Sequence, residues 1–299
     1  MSHILITGGA GFIGSHLCHK FIQDGHSVVC VDNFLSGSKS NIEDLLSDPN
    51  FKLIEFDLCR SLDELYQLDE LTELSAIFHF ACPASPNPSS PVSYINHPVE
   101  TMMVSSVGSK NMLDLAIKND CQIIFASTSE VYGDPSVHPQ PETYWGNVSS
   151  TGERSCYDEG KRFMEALAFT YYRKFSAKIK VIRIFNTYGP NMRLDDGRFS
   201  INLIDSAINN KPFVLYGDGT STRSFCYIGD LVAGIDQIFK TDKAIGEVIN
   251  LGNPGEFSVN SSIKLMESLI GHKLEIVTKP ELPDDPKRRQ PDITKAKQL

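Results

Sequence analysis

The chain has 299 residues, of which 41% are hydrophobic and 22% are charged, so it can bury a large core in one domain with a smaller lobe. Acidic residues outnumber basic ones by 37 to 28, which gives a formal net charge of -9. Nucleic-acid binding needs a surplus of Lys and Arg on one face, so this balance argues against a nucleic-acid partner. Any anionic ligand must be held by local groups.

The seven cysteines are scattered along the chain and include no Cys-x-x-Cys pair, so we expect reduced thiols rather than a zinc site or a disulfide framework. His16 and His19 have helical i, i+3 spacing, but no third metal ligand lies near them, and no metal is predicted.

The N-terminus runs straight into an apolar strand without space for a signal peptide. No apolar run approaches the length of a membrane span. The expectation is a cytoplasmic protein without membrane contact.

Short apolar runs of strand length alternate with longer segments of helical period, which is typical of a parallel sheet with crossover helices. The predicted strands lie near 3–7, 27–32, 51–56, 76–80, 121–127 and 179–184. Helices are predicted near 12–24, 98–118 and 157–175. The expected fold class is therefore α/β, with a Rossmann-type, doubly wound parallel sheet.

This alternation weakens after about residue 186, where we predict a smaller C-terminal, substrate-binding lobe. Its elements are helices near 199–210, 229–239 and 259–270, and strands near 213–216 and 222–227. We expect a nucleotide-binding domain over 1–185 and mainly the lobe over 186–299, with chain segments exchanging between the two. The proline-rich run 82–91 is predicted as a loop after the fourth strand, where such sheets border their ligand crevice.

A glycine-rich turn follows the first strand directly. Gly9, Gly11 and Gly14 form a G-x-G-x-x-G pattern, and a helix begins near Phe12. The glycines permit a tight turn and close approach of the backbone to a pyrophosphate, while the helix N-terminus offers free N–H groups. The strand, loop and helix context therefore predicts a dinucleotide site.

The second strand ends at Asp32. Its separation in sequence from the glycine turn is close to the one at which an acidic residue contacts the adenosine ribose. A carboxylate there accepts hydrogen bonds from both ribose hydroxyls and repels a 2′-phosphate, so NAD is favoured over NADP. Asp57 ends the next strand and either approaches the adenine or caps a turn. The candidate cofactor-binding residues are Gly8, Gly11, Phe12, Ile13, Gly14, Asp32, Asn33, Phe34, Ser36, Gly37, Asp57, Leu58, Ala81, Ser127, Tyr157 and Lys161.

Tyr157 and Lys161 are one helical turn apart, so the ammonium can lie beneath the phenol and lower its pKa towards neutrality. A phenol of that kind can act as a base at pH 7. The segments 127–130 and 186–190 follow the fifth and sixth strands, at the same edge of the sheet. The glycine turn, a Ser-Thr segment and Tyr-x-x-x-Lys together resemble the extended short-chain dehydrogenase/reductase superfamily, in which Thr or Ser, Tyr and Lys act beside the nicotinamide.

Longer strings narrow this resemblance and cover nearly the whole chain. Residues 80–85, 127–135, 145–148, 156–162, 183–190 and 284–292 resemble the UDP-glucuronate decarboxylases, also called UDP-xylose synthases. Membership implies that oxidation at C4 of UDP-glucuronate makes the carboxylate β to a ketone. Carbon dioxide then leaves, an enolate forms and is protonated, and the bound NAD is regenerated.

The resemblance also implies roles for individual residues. The catalytic set that it implies is Thr128, Glu130, Tyr157, Lys161 and Arg289. Glu130 and Arg289 are expected to position the carboxylate and assist protonation at C5. The substrate-binding set that it implies is Pro83, Ser85, Glu130, Tyr157, Asn186, Arg198, Tyr216, Arg223 and Arg289, with Arg198 and Arg223 at the diphosphate. Related enzymes pair two long helices per subunit, so a homodimer through a four-helix bundle is expected.

The chain departs from the family pattern in two places. It has Met103-Val104-Ser105 where the family usually has Lys-Thr-Asn, and it stops at Leu299 where members usually continue.

Three alternative functions stay open. The first is a nucleotide-sugar 4,6-dehydratase, which usually has Asp-Glu where this chain has Ser129-Glu130. The others are a 4-epimerase, which usually lacks a carboxylate at the position of Glu130, and a non-catalytic NAD-binding sensor or scaffold.

Overall fold

The computed structural model describes residues 2–280 and 288–299, so residues 284–287 of the last resembling string lie outside the described residues. The strands are β1 (His3–Thr7), β2 (Ser27–Asp32), β3 (Phe51–Glu55), β4 (Ala76–His79), β5 (Gln122–Thr128), β6 (Ile179–Ile184), β7 (Thr187–Tyr188), β8 (Phe213–Tyr216), β9 (Thr222–Ser224), β10 (Cys226–Tyr227), β11 (Glu247–Leu251), β12 (Glu256–Ser258), β13 (Ile276–Lys279) and β14 (Arg288–Arg289). The α-helices are α1 (Phe12–Gln23), α2 (Leu62–Leu65), α3 (Pro98–Met103), α4 (Ser109–Lys118), α5 (Ser155–Phe175), α6 (Phe199–Asn209), α7 (Ile228–Lys240), α8 (Val259–Ile270) and α9 (Thr294–Gln298).

A parallel sheet of seven strands forms the centre of the molecule, in the order β11-β6-β5-β4-β1-β2-β3. The predicted α/β fold of Rossmann type is confirmed. The chain adds β2 and β3 on one side of β1, and then adds β4, β5 and β6 on the other side. Such a reversal leaves a crevice outside the carboxyl ends of β1 and β4, where ligands bind in this class of sheet.

Both faces of this sheet are covered by helices, and the side-chain alternation of β1 shows how. Ile4 and Ile6 join the core beneath α1 and α7, whereas Leu5 joins the core beneath α4 and α5. Successive side chains of a strand point to opposite faces, so a strand buried on both faces is apolar at every position. This is why β1 appears in the sequence as an unbroken apolar run.

β11 and α7 lie beyond residue 185 and belong to the large sheet layer. β11 pairs with β6 in parallel register, and α7 packs against α1. From the sequence, the helix near 229–239 was predicted to belong to the smaller lobe. The structure places it on the sheet because its buried residues Leu231, Ile235 and Ile238 share one core with Phe21 of α1.

The smaller lobe contains α6, α8 and short strands. α6 and α8 pack together around Leu203, Phe213 and Ile263. Strand β9 lies between β12 and β14, so the described residues after 287 return to the edge of the lobe. The predicted strand near 222–227 is divided into β9 and β10. In the described ranges, no helix combines the length and apolar character needed to cross a bilayer.

The helix predicted near 98–118 is one helical segment with an irregular centre. α3 and α4 are joined by a π-helical stretch, Val104–Gly108. Both parts and the π stretch pack along α5. The departure Met103-Val104-Ser105 therefore lies at the point where the helix widens.

We predict that Gly14→Ala destabilises the fold, because a Cβ at this position would lie 2.1 Å from the Gly8 carbonyl oxygen. A backbone clash of this kind costs about 2 kcal/mol or more. Gly11→Ala is the matched control, since its Cβ would lie 3.1 Å from the Gly8 carbonyl oxygen and its φ is -78°. Urea denaturation gives the free energy of unfolding of both variants. Equal losses at the two positions would contradict the prediction.

Candidate active site

A cavity of about 2180 Å³ runs along the carboxyl ends of the central strands and reaches the smaller lobe. Pockets for one small ligand have volumes of about 300–1,000 Å³, so this cavity has room for two ligands side by side. It is lined by the glycine turn, the ends of β2 and β5, the loop after β4, the start of α5 and residues of β8, β9 and β14. The site residues predicted from the sequence line this cavity, with the exception of Phe34 and Gly37.

The glycine turn makes a cradle at the N-terminus of α1. Gly8 has φ +70°, and its N–H donates to the Val31 carbonyl at 2.8 Å, which closes the turn against β2. Over Gly11, an added Cβ would meet only the Gly8 carbonyl, so the turn is open to the cavity. The first N–H groups of α1, at Phe12 and Ile13, have no partner within the helix and carry its positive dipole end. These residues fit a pyrophosphate.

Asp32 is buried at the end of β2, where its two oxygens accept hydrogen bonds from Ala10 N at 3.0 Å and Phe34 N at 2.8 Å. Burial raises the pKa of Asp32, and the two backbone donors oppose that shift. Each carboxylate oxygen has further acceptor capacity, so the group fits ribose hydroxyls. Phe34 packs towards the core, and Gly37 lies against the carboxyl, where a Cβ would approach both oxygens to 2.9 Å.

Asp57 lines the cavity at the end of β3, and its carboxylate also accepts the Cys59 N–H at 2.9 Å. Turn capping is therefore one role of Asp57 in the structure.

Tyr157 and Lys161 lie on the first turns of α5, close to Thr128 at the end of β5. The Lys161 ammonium donates to the Ala126 carbonyl at 2.8 Å and lies 5.9 Å from the centre of the Tyr157 ring. This ring also stacks on Tyr94, at 4.9 Å between centres. The three predicted groups are thus brought together at one point of the cavity wall.

The sequence predicted that Lys161 lowers the pKa of Tyr157. In the structure of the protein alone, this pKa is raised instead. Burial raises the pKa of Tyr157 above its usual range, while the Arg198 charge and a hydrogen bond with Thr128 oppose that shift. The cost of burying a phenolate is greater than the effect of an ammonium that already bonds a carbonyl oxygen. A bound cation beside the ring would favour the phenolate.

Glu130, two residues after Thr128, lies between two guanidinium groups. One carboxylate oxygen accepts from Arg289 and the other from Arg154. Arg289 also donates to Ser129 Oγ at 3.1 Å and to the Gly133 carbonyl at 3.0 Å. Burial opposes ionisation of Glu130, but the two arginines outweigh it and the pKa of Glu130 is lowered. Glu130 is therefore an ionised acceptor.

The predicted substrate residues line the part of the cavity next to the smaller lobe. Arg198 donates to both oxygens of the buried Asp196, at 2.9 and 2.8 Å, and to the Ala84 carbonyl. Ser85 Oγ donates to the Asp196 carbonyl at 2.7 Å. Arg198 and Ser85 are thus fixed against each other through one acidic residue. Pro83, Asn186, Tyr216 and Arg223 complete this wall.

The sequence reasoning did not find Arg154, Asp196, Tyr94 and Asp158, which all line the cavity. One signal was available for Arg154, which lies one helical turn before Tyr157 and Asp158. Nothing in the sequence pattern indicates Tyr94 or Asp196, because both reach the site from loops.

The chain is similar in sequence to known proteins of one family. The profile of the NAD dependent epimerase/dehydratase family matches residues 4–252. The chain is 46% identical over 297 residues to UDP-glucuronic acid decarboxylase 5 of Arabidopsis thaliana, covering 99% of this chain and 83% of that protein. It is 47% identical over 295 residues to UDP-glucuronic acid decarboxylase 1 of the same plant, where it spans 64% of the relative.

Two solved structures of similar fold contain a nucleotide sugar. UDP-glucuronic acid 4-epimerase of Bacillus cereus, in complex with UDP-glucuronic acid and NAD, superposes with a TM-score of 0.84 at 29% identity, covering 99% of this chain and 92% of the other. UDP-glucose 4-epimerase of Thermotoga maritima, with UDP-glucose, gives 0.85 at 29% identity, covering 99% and 91%. On its sequence and its fold, this chain belongs to the NAD dependent epimerase/dehydratase family.

Proposed function

We propose that this protein converts UDP-glucuronate to UDP-xylose and carbon dioxide, with NAD as a cofactor that is restored in each turnover. The observation that carries the proposal is the position of the Glu130, Arg154 and Arg289 cluster beside Thr128 and Tyr157. One part of the cavity can exchange a proton with a sugar hydroxyl, and the adjacent part carries guanidinium groups suited to a carboxylate. The decarboxylase relatives support the same activity.

A carboxylate on C5 of glucuronate cannot leave directly, because its electron pair would remain on an unstabilised carbon. A ketone at C4 accepts that pair as an enolate. When bound in the glycine cradle, NAD supplies the hydride acceptor for C4 and a positive charge. Tyr157 takes the proton of the C4 hydroxyl, and Thr128 hydrogen-bonds the same oxygen. Lys161, fixed by the Ala126 carbonyl, adds a positive charge beneath the ring.

Arg289 and Glu130 act on the carboxyl side of the sugar. Arg289 is 2% exposed and held by three acceptors, so its guanidinium is fixed before substrate arrives. Groups fixed in this way stabilise charge without reorganising during the reaction. The ionised Glu130 keeps the arginine pair oriented and can carry a proton towards C5.

A 4-epimerase or a 4,6-dehydratase would share the C4 chemistry. The 4,6-dehydratase needs an acid that releases water at C6, and this chain has Ser129 where those enzymes usually have Asp. Incubation with UDP-glucuronate and NAD decides among the candidates. UDP-xylose with carbon dioxide supports the proposal, and UDP-galacturonate would identify a 4-epimerase. No turnover would favour the sensor or scaffold, or a 4,6-dehydratase, which needs a sugar with a C6 hydroxyl.

The proposal includes a cytoplasmic location, which supplies the reducing conditions suited to seven free cysteines.

NAD is expected to bind about 10- to 100-fold more tightly than NADP, because the buried Asp32 carboxylate favours ribose hydroxyls and repels a 2′-phosphate. Asp32→Ala should remove most of this preference. Glu55→Gln, at the exposed end of β3, is the control and should keep it. Calorimetric titration of both cofactors measures the ratio, and equal affinities in the wild-type protein would refute the assignment.

Tyr157→Phe should abolish oxidation at C4 and release of carbon dioxide together, since no β-keto acid forms. Glu130→Gln and Arg289→Gln should still allow some oxidation, visible as reduced nicotinamide absorbance in a single turnover. Their output of UDP-xylose should fall by about 10²- to 10³-fold. Tyr172→Phe, a half-exposed position on the same helix, is the matched control. Near-normal UDP-xylose formation by Tyr157→Phe would disprove the mechanism.

We further propose a homodimer through α3, α4 and α5. These helices carry exposed apolar side chains, namely Val99 at 66%, Met102 at 50% and Phe163 at 51% exposure. Two copies of this helix pair would bury that surface as a four-helix bundle.

Phe163→Asp is expected to produce monomers, because a carboxylate would be buried in the proposed bundle without a partner. Leu269→Asp is the control, since Leu269 is equally apolar and 73% exposed on α8. Sedimentation velocity at micromolar concentration measures the oligomeric state. A wild-type protein that sediments only as a monomer would exclude the bundle.

A further inference from the structure

The proposed reaction consumes one proton that Tyr157 cannot supply. UDP-glucuronate loses its carboxylate as carbon dioxide, and C5 gains a hydrogen in its place. The proton that Tyr157 takes from the C4 hydroxyl returns to the same oxygen when the C4 ketone is reduced. A different group must therefore deliver one proton to C5 in every turnover, and regain it from solvent afterwards. This step rests on the function proposed above.

The Asp158 carboxyl group lies at the cavity and has no role in the mechanism described above. It follows Tyr157 on the first turn of α5 and lines the cavity. Asp158 is 8% exposed, and its Oδ1 has no hydrogen-bond partner within the part of the chain that the structure describes. A buried carboxylate oxygen without a partner is costly when ionised. Protonation removes most of that cost.

The charged and titratable groups around Asp158 come from several elements. They are Glu130 after β5, Tyr94 after β4, Arg289 on β14, and Arg154, Cys156 and Glu159 next to it on the chain. Burial and the Glu130 charge raise the pKa of Asp158 to about 7, while Arg154 and Arg289 oppose the shift. The group can therefore both hold and release a proton near neutral pH, as a general acid requires.

The neighbouring groups are less suited to store this proton. Glu130 is ion-paired with both arginines, and its pKa is lowered. Tyr94 also has a buried hydroxyl with no partner in the described ranges, but burial raises its pKa far above neutrality. Lys161 is engaged by the Ala126 carbonyl.

We propose that the Asp158 carboxyl stores the proton for C5 and delivers it by way of the Glu130 carboxylate. The O–H bond of Asp158 breaks, and its proton passes to Glu130. The new O–H bond of Glu130 then breaks as the C5–H bond forms with the electron pair of the enolate, which returns to the C4 ketone. Asp158 takes up a proton from solvent before the next turnover. Because Asp158 acts through Glu130, it is a positioning residue for the proton rather than a group in contact with the sugar.

Single-turnover measurements on Asp158→Asn test this role. Reduced nicotinamide and carbon dioxide should appear at wild-type rates, since both precede protonation of C5. UDP-xylose should form about 10²-fold more slowly. Asp158→Glu should restore much of the rate, because it returns an ionisable carboxyl. Glu159→Gln, the same carboxyl-to-amide change one residue along, is the control and should behave as wild type.

A second measurement uses the unmodified enzyme and does not depend on a variant that folds. The rate of the protonation step should fall as pH rises through about 7, because the acid is then ionised. Asp158→Asn should lack this alkaline limb. The proposal is overturned if the wild-type enzyme shows no such limb, or if Asp158→Asn slows carbon dioxide release and UDP-xylose formation equally. Failure of the wild-type enzyme to release carbon dioxide would instead refute the proposed function.

Discussion

The ion pairs of Glu130 join the parts of the chain that form the cavity. Glu130 follows β5 of the central sheet, Arg154 precedes α5, and Arg289 lies on β14 at the edge of the smaller lobe. Arg289 is 159 residues from Glu130 in sequence, so this contact holds the lobe against the sheet. Removing one partner from a buried pair leaves a charge uncompensated, at a cost of about 3–5 kcal/mol. The same contact therefore maintains the cavity and orients its cationic wall.

Much of the fold could be predicted from the sequence because the central strands are buried on both faces. Mostly apolar runs of strand length mark β1 to β6, although charged residues interrupt the runs of β3 and β6. β11 gives no such signal, since Asn250 interrupts its apolar run. The structure shows why a polar residue is tolerated there: Asn250 bonds the Gln140 carbonyl at 2.9 Å and accepts from the Tyr132 hydroxyl at 2.8 Å. Both partners are more than 100 residues away, so no local pattern could reveal them.

In the candidate site too, residues in local contact could be predicted from the sequence, whereas residues brought in by distant contacts could not. Residues within one turn of each other, such as those of the glycine turn or Tyr157 and Lys161, were found because their spacing implies their geometry. Arg154 and Tyr94 were missed because their roles depend on packing. Tyr94 reaches the Tyr157 ring from the loop after β4, 63 residues earlier in the sequence. Spacing also contains no information about burial, which raises the pKa of Tyr157 in the protein alone.

Glu130 and Asp158 are two carboxyl groups beside the same arginines, and their environments shift their pKa values in opposite directions. Glu130 receives a hydrogen bond from each guanidinium, so its charge is stabilised although it is buried. Those donors are then directed at Glu130, and the charge of Glu130 itself disfavours a second anion nearby. Asp158 is left with the cost of burial. One cluster of charges thus makes an ionised carboxylate and a proton-holding carboxyl close together, which is the arrangement that acid–base chemistry at neutral pH requires.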